Sequence, residues 1–427
     1  MNIALLFIIF FSLILLSVPI GVSLGTATAI TLMLTSHIDT VLIAQKAFTG
    51  LDNFTLLAIP FFMLAGNLMA LGGIARRIVN MCDVLVGKVT GGLGMATIAA
   101  SMFFAAISGS GPATVSAMGT IMIPEMEKRG YDKAFATGLT ATAGTIGVII
   151  PPSIPFVVYG VASGASVGDL FIGGVVPGIL IGIALMVVCY VISKKRGYRG
   201  GHQVDGQKHM GVFKTFIDSF WALMAPVIIL GGIYGGIFTP TEAAVVSIVY
   251  SLLIGKLVYK ELTWKIWIDS LKATADLNGL TGLALGFSMS FANYLAMEQI
   301  PQKVAKSLLS TIHSDVAMAL LVLLILLIVG LFVDNISSCL ILTPVLLPLM
   351  EAIGMSDVQF GIVMTTALAI GFVTPPYGVN LFVASSVADE SIENISKAAI
   401  PFIGAMLVCL LLITFIEPLS MGLVHMM

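Results

Sequence analysis

Uncharged stretches dominate this chain, and polar residues gather in short clusters between them. Runs without Lys, Arg, Asp or Glu cover 1–38, 53–75, 89–124, 134–168, 170–193, 219–241, 277–297, 316–333, 335–350, 358–388 and 398–416. A helix needs about 20 apolar residues to cross a hydrocarbon core roughly 30 Å thick, so these runs predict membrane helices. The first run is too long for one upright crossing, since at 1.5 Å per residue it makes a rod of about 57 Å. Pro19 and Gly21 mark where it folds back. The stretch 219–255 divides in the same way at Pro240 and Glu242. The N-terminus lacks a basic region and a small-residue cleavage site, which predicts a retained membrane segment.

Composition agrees with lipid as the solvent. Of 427 residues, 58% are hydrophobic and only 10% charged, whereas soluble domains are about a quarter charged. A net charge of −2 offers no basic field for nucleic acid. Cys82, Cys189, Cys339 and Cys409 stand singly and form no disulfide framework.

An offset of 224 residues exposes an internal repeat. It carries Pro124 to Pro348, Glu127 to Glu351, Gly147 to Gly371, Pro151–Pro152 to Pro375–Pro376, and Pro177 to Pro401. Ser110 falls on Asp334 and Asp52 on Asp276, while Pro19 and Pro240 match at an offset of 221. The repeats are read as 1–193 and 219–427, joined by a polar, basic linker at 194–218. Each is predicted to hold five crossings and one re-entrant hairpin, at 90–126 and 316–350. The second arms, 112–124 and 336–350, are short for a full span. With the linker cytoplasmic, this arrangement puts 17 Lys and Arg inside and three (Lys46, Lys303, Lys306) outside. Merging 219–255 into one crossing gives 14 and 6, so the positive-inside rule favours two crossings there. An odd number of crossings per half makes the halves inverted, a pattern of secondary transporters, and puts both termini outside.

Two places in each half break the helical pattern at membrane depth. They are Ser108-Gly109-Ser110-Gly111-Pro112 and Pro151-Pro152-Ser153-Ile154-Pro155, then Asp334-Asn335-Ile336-Ser337-Ser338 and Thr374-Pro375-Pro376-Tyr377-Gly378-Val379-Asn380. Irregular backbone survives in a membrane only where protein or a wet cavity satisfies it. Carbonyls freed beside Ser, Thr or Asp oxygens suit a hard cation, and the N-termini of the short arms turn positive dipole ends toward an anion. Asp334 is the sharpest residue, alone between Asp315 and Glu351. A carboxylate at mid-helix costs about 2.5–3.5 kcal/mol on insertion scales, which marks it as functional, as a cap, or both. Arg76, Arg77, Lys128 and Arg129 read as orientation signals, Glu242 and Glu417 as interfacial, and the segment around Trp264, Lys265 and Trp267 as an interfacial amphipathic helix.

The assembled motifs resemble the large membrane (M, DctM-like) subunit of a tripartite ATP-independent periplasmic (TRAP) transporter. They include Pro19-Ile20-Gly21, Gly50-Leu51-Asp52-Asn53-Phe54, Ile59-Pro60-Phe61-Phe62, Ser108 to Thr114, Ile150-Pro151-Pro152-Ser153, Phe238-Thr239-Pro240-Thr241-Glu242-Ala243-Ala244 and Thr374-Pro375-Pro376. The resemblance implies an all-α polytopic elevator transporter of the bacterial inner membrane. Its scaffold would come from spans 1–75 and 219–297, its moving part from 89–168 and 316–388, with closing spans at 170–193 and 398–417. It also implies sodium as the coupling ion, no organic cofactor, a small four-helix membrane subunit (Q, DctQ-like), and a periplasmic protein that delivers an organic acid. Sialic acid is favoured as that substrate, with a C4-dicarboxylate next. The implied cation sites are Ser108, Ser110, Gly147, Ile150 and Pro152, and, shifted by 224, Phe332, Asp334, Gly371, Thr374 and Pro376. The implied substrate contacts are Ser110, Ser153, Asn335 and Asn380.

Other classes fit less well. No phosphate-binding GxxxxGK[ST] loop is present. A hydrolase built on the Ser between glycines at 109–111 needs a base, and His37, His202, His209, His313 and His425 all fall outside the deep parts of the spans. A passive channel would not need an isolated intramembrane acid. Proton coupling through Asp334 is the nearest rival to sodium coupling.

Overall fold

A computed structural model describes residues 2–16, 18–35, 39–198 and 211–426, so the middle of the linker, with His202 and His209, and also His37 lie outside the described residues. The first half contains α1 (Asn2–Leu15), α2 (Ile20–Thr35), α3 (Val41–Leu51), α4 (Ala58–Leu71) and α5 (Ile74–Val86). It continues with α6 (Gly92–Ser108), α7 (Gly111–Lys128), α8 (Lys133–Gly144), α9 (Ile154–Ser163) and α10 (Val167–Arg196). The second half contains α11 (Val212–Tyr234), α12 (Pro240–Leu253), α13 (Trp264–Met297), α14 (Ile300–Thr311) and α15 (Asp315–Phe332). It ends with α16 (Asn335–Ala352), α17 (Asp357–Gly371), α18 (Val379–Ala388), α19 (Ile392–Phe415) and α20 (Pro418–Met421). There is no strand among the described residues, and eight helical stretches are long and apolar enough to cross a membrane.

Local chemistry explains where these helices start. Ser110, Ser153 and Asp334 each accept a backbone N–H three residues on, from Ala113, Phe156 and Ser337, and so cap α7, α9 and α16. Pro112 and Pro155 stand in the first turns of α7 and α9, where no N–H partner is needed. Thr239 and Glu242 form a reciprocal capping box at the start of α12.

Element by element, the second half restates the first. α7 and α16 begin and end 224 residues apart, and the peptide bonds Pro151–Pro152 and Pro375–Pro376 are both cis. One difference is visible in the first spans. Asn53 is extended and accepts the Thr55 N–H at 2.9 Å, ending α3 and starting a new helical segment. The equivalent position is Leu277, which offers no such acceptor, and α13 runs unbroken for 34 residues. The segment around Trp264 is therefore the first turn of this long helix and not a separate helix.

Two belts of contacts mark opposite ends of α10, which at 30 residues is about 45 Å long. At its C-terminal end, Arg196 pairs with Asp132 at 3.4 Å, the Lys133 ammonium donates to Asp389 O at 3.2 Å, and Arg129 pairs with Asp83 at 3.5 Å. On the same α5 that carries Asp83, Arg77 meets Glu261 at 2.8 Å and Asp218 at 3.4 Å. At the N-terminal end of α10, Tyr234 donates to Phe171 O at 3.1 Å. There too Ser420 O lies against Gly173, Ser356 reaches Met421, and Tyr159 donates to Asp357 O at 2.6 Å.

These belts give the direction in which each helix runs. α11 leads from Asp218 in the basic belt to Tyr234 in the other, and α12 returns from Thr241, beside Phe54, toward Glu261. The stretch 219–255 thus holds two antiparallel helices, α11 and α12 (the latter continuing to Val258), each long and apolar enough to cross a membrane. α8 and α9 run from Lys133 to Tyr159, whereas α17 and α18 run from Asp357 to Asp389, so equivalent broken helices point in opposite directions. The α6–α7 hairpin leaves the basic belt near Gly91, whose N–H bonds Tyr198 O, and returns to it at Arg129. The α16 arm ends instead near Ser356 at the opposite belt.

The larger core joins α4 to α10 with α11, α12 and α15 to α19. Within it α7 packs against α18, and α16 against α9, so each hairpin arm is clasped by the other half's short broken helix. A smaller cluster around Phe10, Leu24 and Phe291 ties α1 and α2 to the far end of α13.

Candidate functional site

At the tip of the first hairpin the backbone reverses over three residues. Gly109 adopts φ +61°, and a Cβ there would stand 2.7 Å from Pro152 O, so glycine is required by both conformation and space. Its carbonyl accepts the Ile154 N–H at 3.2 Å, which pins the tip to the break between α8 and α9. The Ser108 and Thr114 hydroxyls lie 3.0 Å apart, and Thr114 donates to Ser110 O at 2.8 Å. Gly147 closes the group: a Cβ on it would lie 2.5 Å from Thr114 Oγ1 and 2.7 Å from Ser110 O. The structure thus gathers Ser108, Ser110, Gly147 and Pro152 around hydroxyl and carbonyl oxygens, a donor set suited to a hard cation. Ile150 is one turn from Gly147, with its side chain filling the space over Gly178 of α10.

The second tip is more open. Asp334 is half-buried, and one carboxylate oxygen accepts the Ser337 N–H at 2.9 Å. Gly371 lies backbone to backbone against Gly330 of α15, so close that a Cβ would stand 2.3 Å from the Gly330 carbonyl. Thr374 donates to Ile370 O at 2.7 Å. Phe332 is exposed and sits 5.6 Å from the Tyr377 ring, and Pro376 beside it is exposed as well. Behind this tip, the hydroxyls of Ser337, Ser338 and Thr366 are fully buried and find no hydrogen-bond partner within the chain, while that of Thr365 meets the Cys339 thiol. Leaving such groups unsatisfied costs about 1–3 kcal/mol each, so the face between α16 and α17 is made to receive polar company.

The substrate candidates do not line one open cleft. Ser110 is half-buried at its helix cap. Ser153 is fully buried and donates to Val148 O at 2.6 Å. Asn335 donates to Thr365 O at 3.5 Å and accepts from the Cys339 thiol. Asn380 is also fully buried and donates to Ala141 O at 3.2 Å, while its Oδ1, facing Gly111, is unpartnered. Each of the last three thus donates one hydrogen bond to a carbonyl of the protein itself.

Sequence reasoning quoted Thr114 and Ser338 within motifs but gave no site role to them or to Thr365 and Thr366. The repeat offset itself holds the signal for two of them, since Thr114 shifted by 224 is Ser338. It also read Arg76 and Arg77 as orientation signals only. The Arg77 guanidinium lies 3.6 Å over the Tyr259 ring besides its two ion pairs, and Ser219 donates to Arg77 O at 2.9 Å. Near the α18–α19 turn, the Asn394 amide and the Ser391 N–H hold the Glu390 carboxyl below the usual carboxylate range.

Comparison with known proteins now adds to this geometry. Residues 7–419 match the family described as "Tripartite ATP-independent periplasmic transporter, DctM component". The chain is 46% identical over 404 residues to the isethionate TRAP transporter permease protein DctMQ of Oleidesulfovibrio alaskensis, covering 95% of this chain but only 63% of that longer relative. It is 39% identical to the C4-dicarboxylate TRAP transporter large permease protein DctM of Vibrio cholerae, over 98% of this chain and 97% of the relative. It is 40% identical to the sialic acid TRAP transporter large permease protein SiaM of the same organism, with 92% of each chain covered. Among solved structures, the YdaH transporter of Alcanivorax borkumensis shares the fold with a TM-score of 0.62 at 14% identity, covering 88% of each chain.

Proposed function

Since this chain belongs to the DctM component family of tripartite ATP-independent periplasmic transporters, and is therefore a transporter permease subunit and not an enzyme, we propose that it carries an organic anion inward across the bacterial inner membrane on a sodium gradient. The observation that carries the reading is the oxygen cluster of Ser108, Ser110 and Thr114 closed by the Gly147 backbone. The buried, unpartnered hydroxyls behind the second tip and the Asp334 carboxylate supply a second cation position. The hairpins and broken helices move as one unit against a scaffold of the outer spans. Such movement opens the buried Ser153, Asn335 and Asn380 to substrate.

The basic belt faces the cytoplasm under the positive-inside rule, which puts both termini outside. A small membrane subunit and a periplasmic binding protein complete the transporter. For the substrate, the printed names of the relatives give isethionate, C4-dicarboxylates and sialic acid, and the isethionate relative is the most identical of the three compared. Sialic acid, favoured from the sequence, therefore stands beside isethionate and a C4-dicarboxylate as a candidate substrate. Two sodium ions with a monoanion carry one net charge inward, about 2.3 kcal/mol at 100 mV, or roughly 50-fold accumulation.

Ion-dependent stability tests the site directly. Sodium chloride, but not potassium or choline chloride, is expected to raise the unfolding temperature of the purified complex, and S110A or G147A to abolish the difference. Equal stabilisation by all three salts removes the cation reading.

A further inference from the structure

The end of α12 and the start of α13 enclose a cleft of about 400 Å³ lined by Leu252, Leu253, Lys256, Leu257, Leu262, Thr263, Trp264 and Trp267. Its floor is aliphatic, its walls include two indoles, and Lys256 stands exposed at the rim on a π-helical turn spanning Ile254–Val258. Trp264 is 75% exposed. The cleft lies beside the basic belt, since Glu261 separates its Leu257 and Leu262 walls and pairs with Arg76 at 2.6 Å and Arg77 at 2.8 Å.

Charge is unbalanced here. Glu261 is committed to the two arginines, while neither Lys256 nor Lys260 forms an ion pair among the described residues. Lys265 stands one helical turn before Asp269 on α13. Indoles at a membrane boundary anchor amphipathic groups at headgroup level, and ammonium groups there attract anionic lipid. An apolar slot lined by two tryptophans and the uncompensated Lys256 ammonium, with Lys260 four residues on in the chain, matches a ligand with an acyl chain and a negatively charged head.

We propose that this cleft is a binding site for one anionic glycerophospholipid, its phosphate near Lys256 and Lys260 and an acyl chain along Leu252, Leu257 and Leu262. The site lies outside the hairpins and broken helices. Its chemistry is independent of the transport reading, which enters only in choosing the cytoplasmic leaflet. The tryptophans grip the glycerol region, and the lysines select the head.

The test uses the delipidated complex of this chain with its small membrane subunit. Phosphatidylglycerol and phosphatidylcholine of identical acyl chains are compared by native mass spectrometry and thermal unfolding. One retained phosphatidylglycerol is expected, with an unfolding temperature raised by that lipid and not by phosphatidylcholine. K256A is expected to weaken retention about fivefold, as for loss of one lysine near a charged lipid surface, and W267A to weaken it further. K303A, a lysine on the distant α14, serves as the folding and charge control and is expected to leave retention unchanged. Equal stabilisation by both lipids, or undiminished retention in K256A, overturns the proposal. So does shielding of a T263C thiol by the small subunit in the absence of lipid, which would make a partner helix the occupant.

Discussion

The side-chain amide of Asn380 donates to the carbonyl of Ala141 at 3.2 Å, joining α18 of the second half to α8 of the first. Both residues are fully buried. The bond links two broken helices that run in opposite directions, and it lies next to Gly111 at the N-terminus of α7. The two halves are therefore fastened to each other at the level where both helices are interrupted.

Removing that fastening has a measurable cost. N380A leaves the Ala141 carbonyl buried without this donor and opens space beside Gly111, for an expected loss of about 1–3 kcal/mol. Thermal unfolding of the purified protein reads the loss. An unchanged unfolding temperature would show that water replaces the amide without penalty.

Gly147 offers a sharper separation of site from fold. A Cβ would fall 2.5 Å from Thr114 Oγ1 and 2.7 Å from Ser110 O, so G147A must push the first tip away from the break. The half-saturating sodium concentration for uptake is expected to rise by about tenfold or more, equivalent to ~1.4 kcal/mol of lost cation affinity. T114A, which removes one oxygen and adds no bulk, is expected to shift the same quantity in the same direction.

Asp334 both caps α16 and faces the second tip. D334A removes cap and charge together, whereas D334N keeps a capping oxygen without the charge. The account expects the sodium requirement to rise in both variants and the thermal stability to fall mainly in D334A. Uptake by D334N that keeps the wild-type sodium dependence would confine Asp334 to capping.

The Arg77 cluster connects α5 to chain segments far away in sequence, through Glu261 and Asp218. The Arg77 side chain is only 13% exposed, so R77M removes a buried cation shared by Asp218 and Glu261, leaving Glu261 with Arg76 alone. A loss of ~1–3 kcal/mol is expected, with R77M and E261Q falling short of additivity by about 0.5–3 kcal/mol. A double-mutant cycle on unfolding temperature checks this, and strict additivity would contradict it.

Much of this architecture was legible before any coordinates. Prolines and glycines punctuate membrane helices so strongly that Pro151–Pro152 and Pro375–Pro376 exposed the repeat, and the scarcity of charge turned Lys and Arg into an orientation code. Other features were not legible. An offset of 224 says which residues are equivalent but not which are neighbours, so the packing of α7 on α18 and of α16 on α9 had no sequence signal. The unbroken α13 depended on Leu277 standing where Asn53 stands in the first half, a single lost cap. Asn335 and Asn380 entered as substrate contacts only through the family resemblance, which says nothing of their hydrogen-bond partners. In the structure each amide donates to a backbone carbonyl, of Thr365 and of Ala141.

The central claim is that sodium drives an organic anion through this chain. The most direct measurement is uptake of labelled isethionate, C4-dicarboxylate or sialic acid into proteoliposomes holding this chain, its small membrane subunit and its loaded binding protein. Ion gradients are imposed one at a time. The account predicts saturable accumulation of one of these anions with an inward sodium gradient, stimulated by a negative interior and lost in G147A. Accumulation that proceeds equally without sodium, or that follows an inward proton gradient alone, would contradict it.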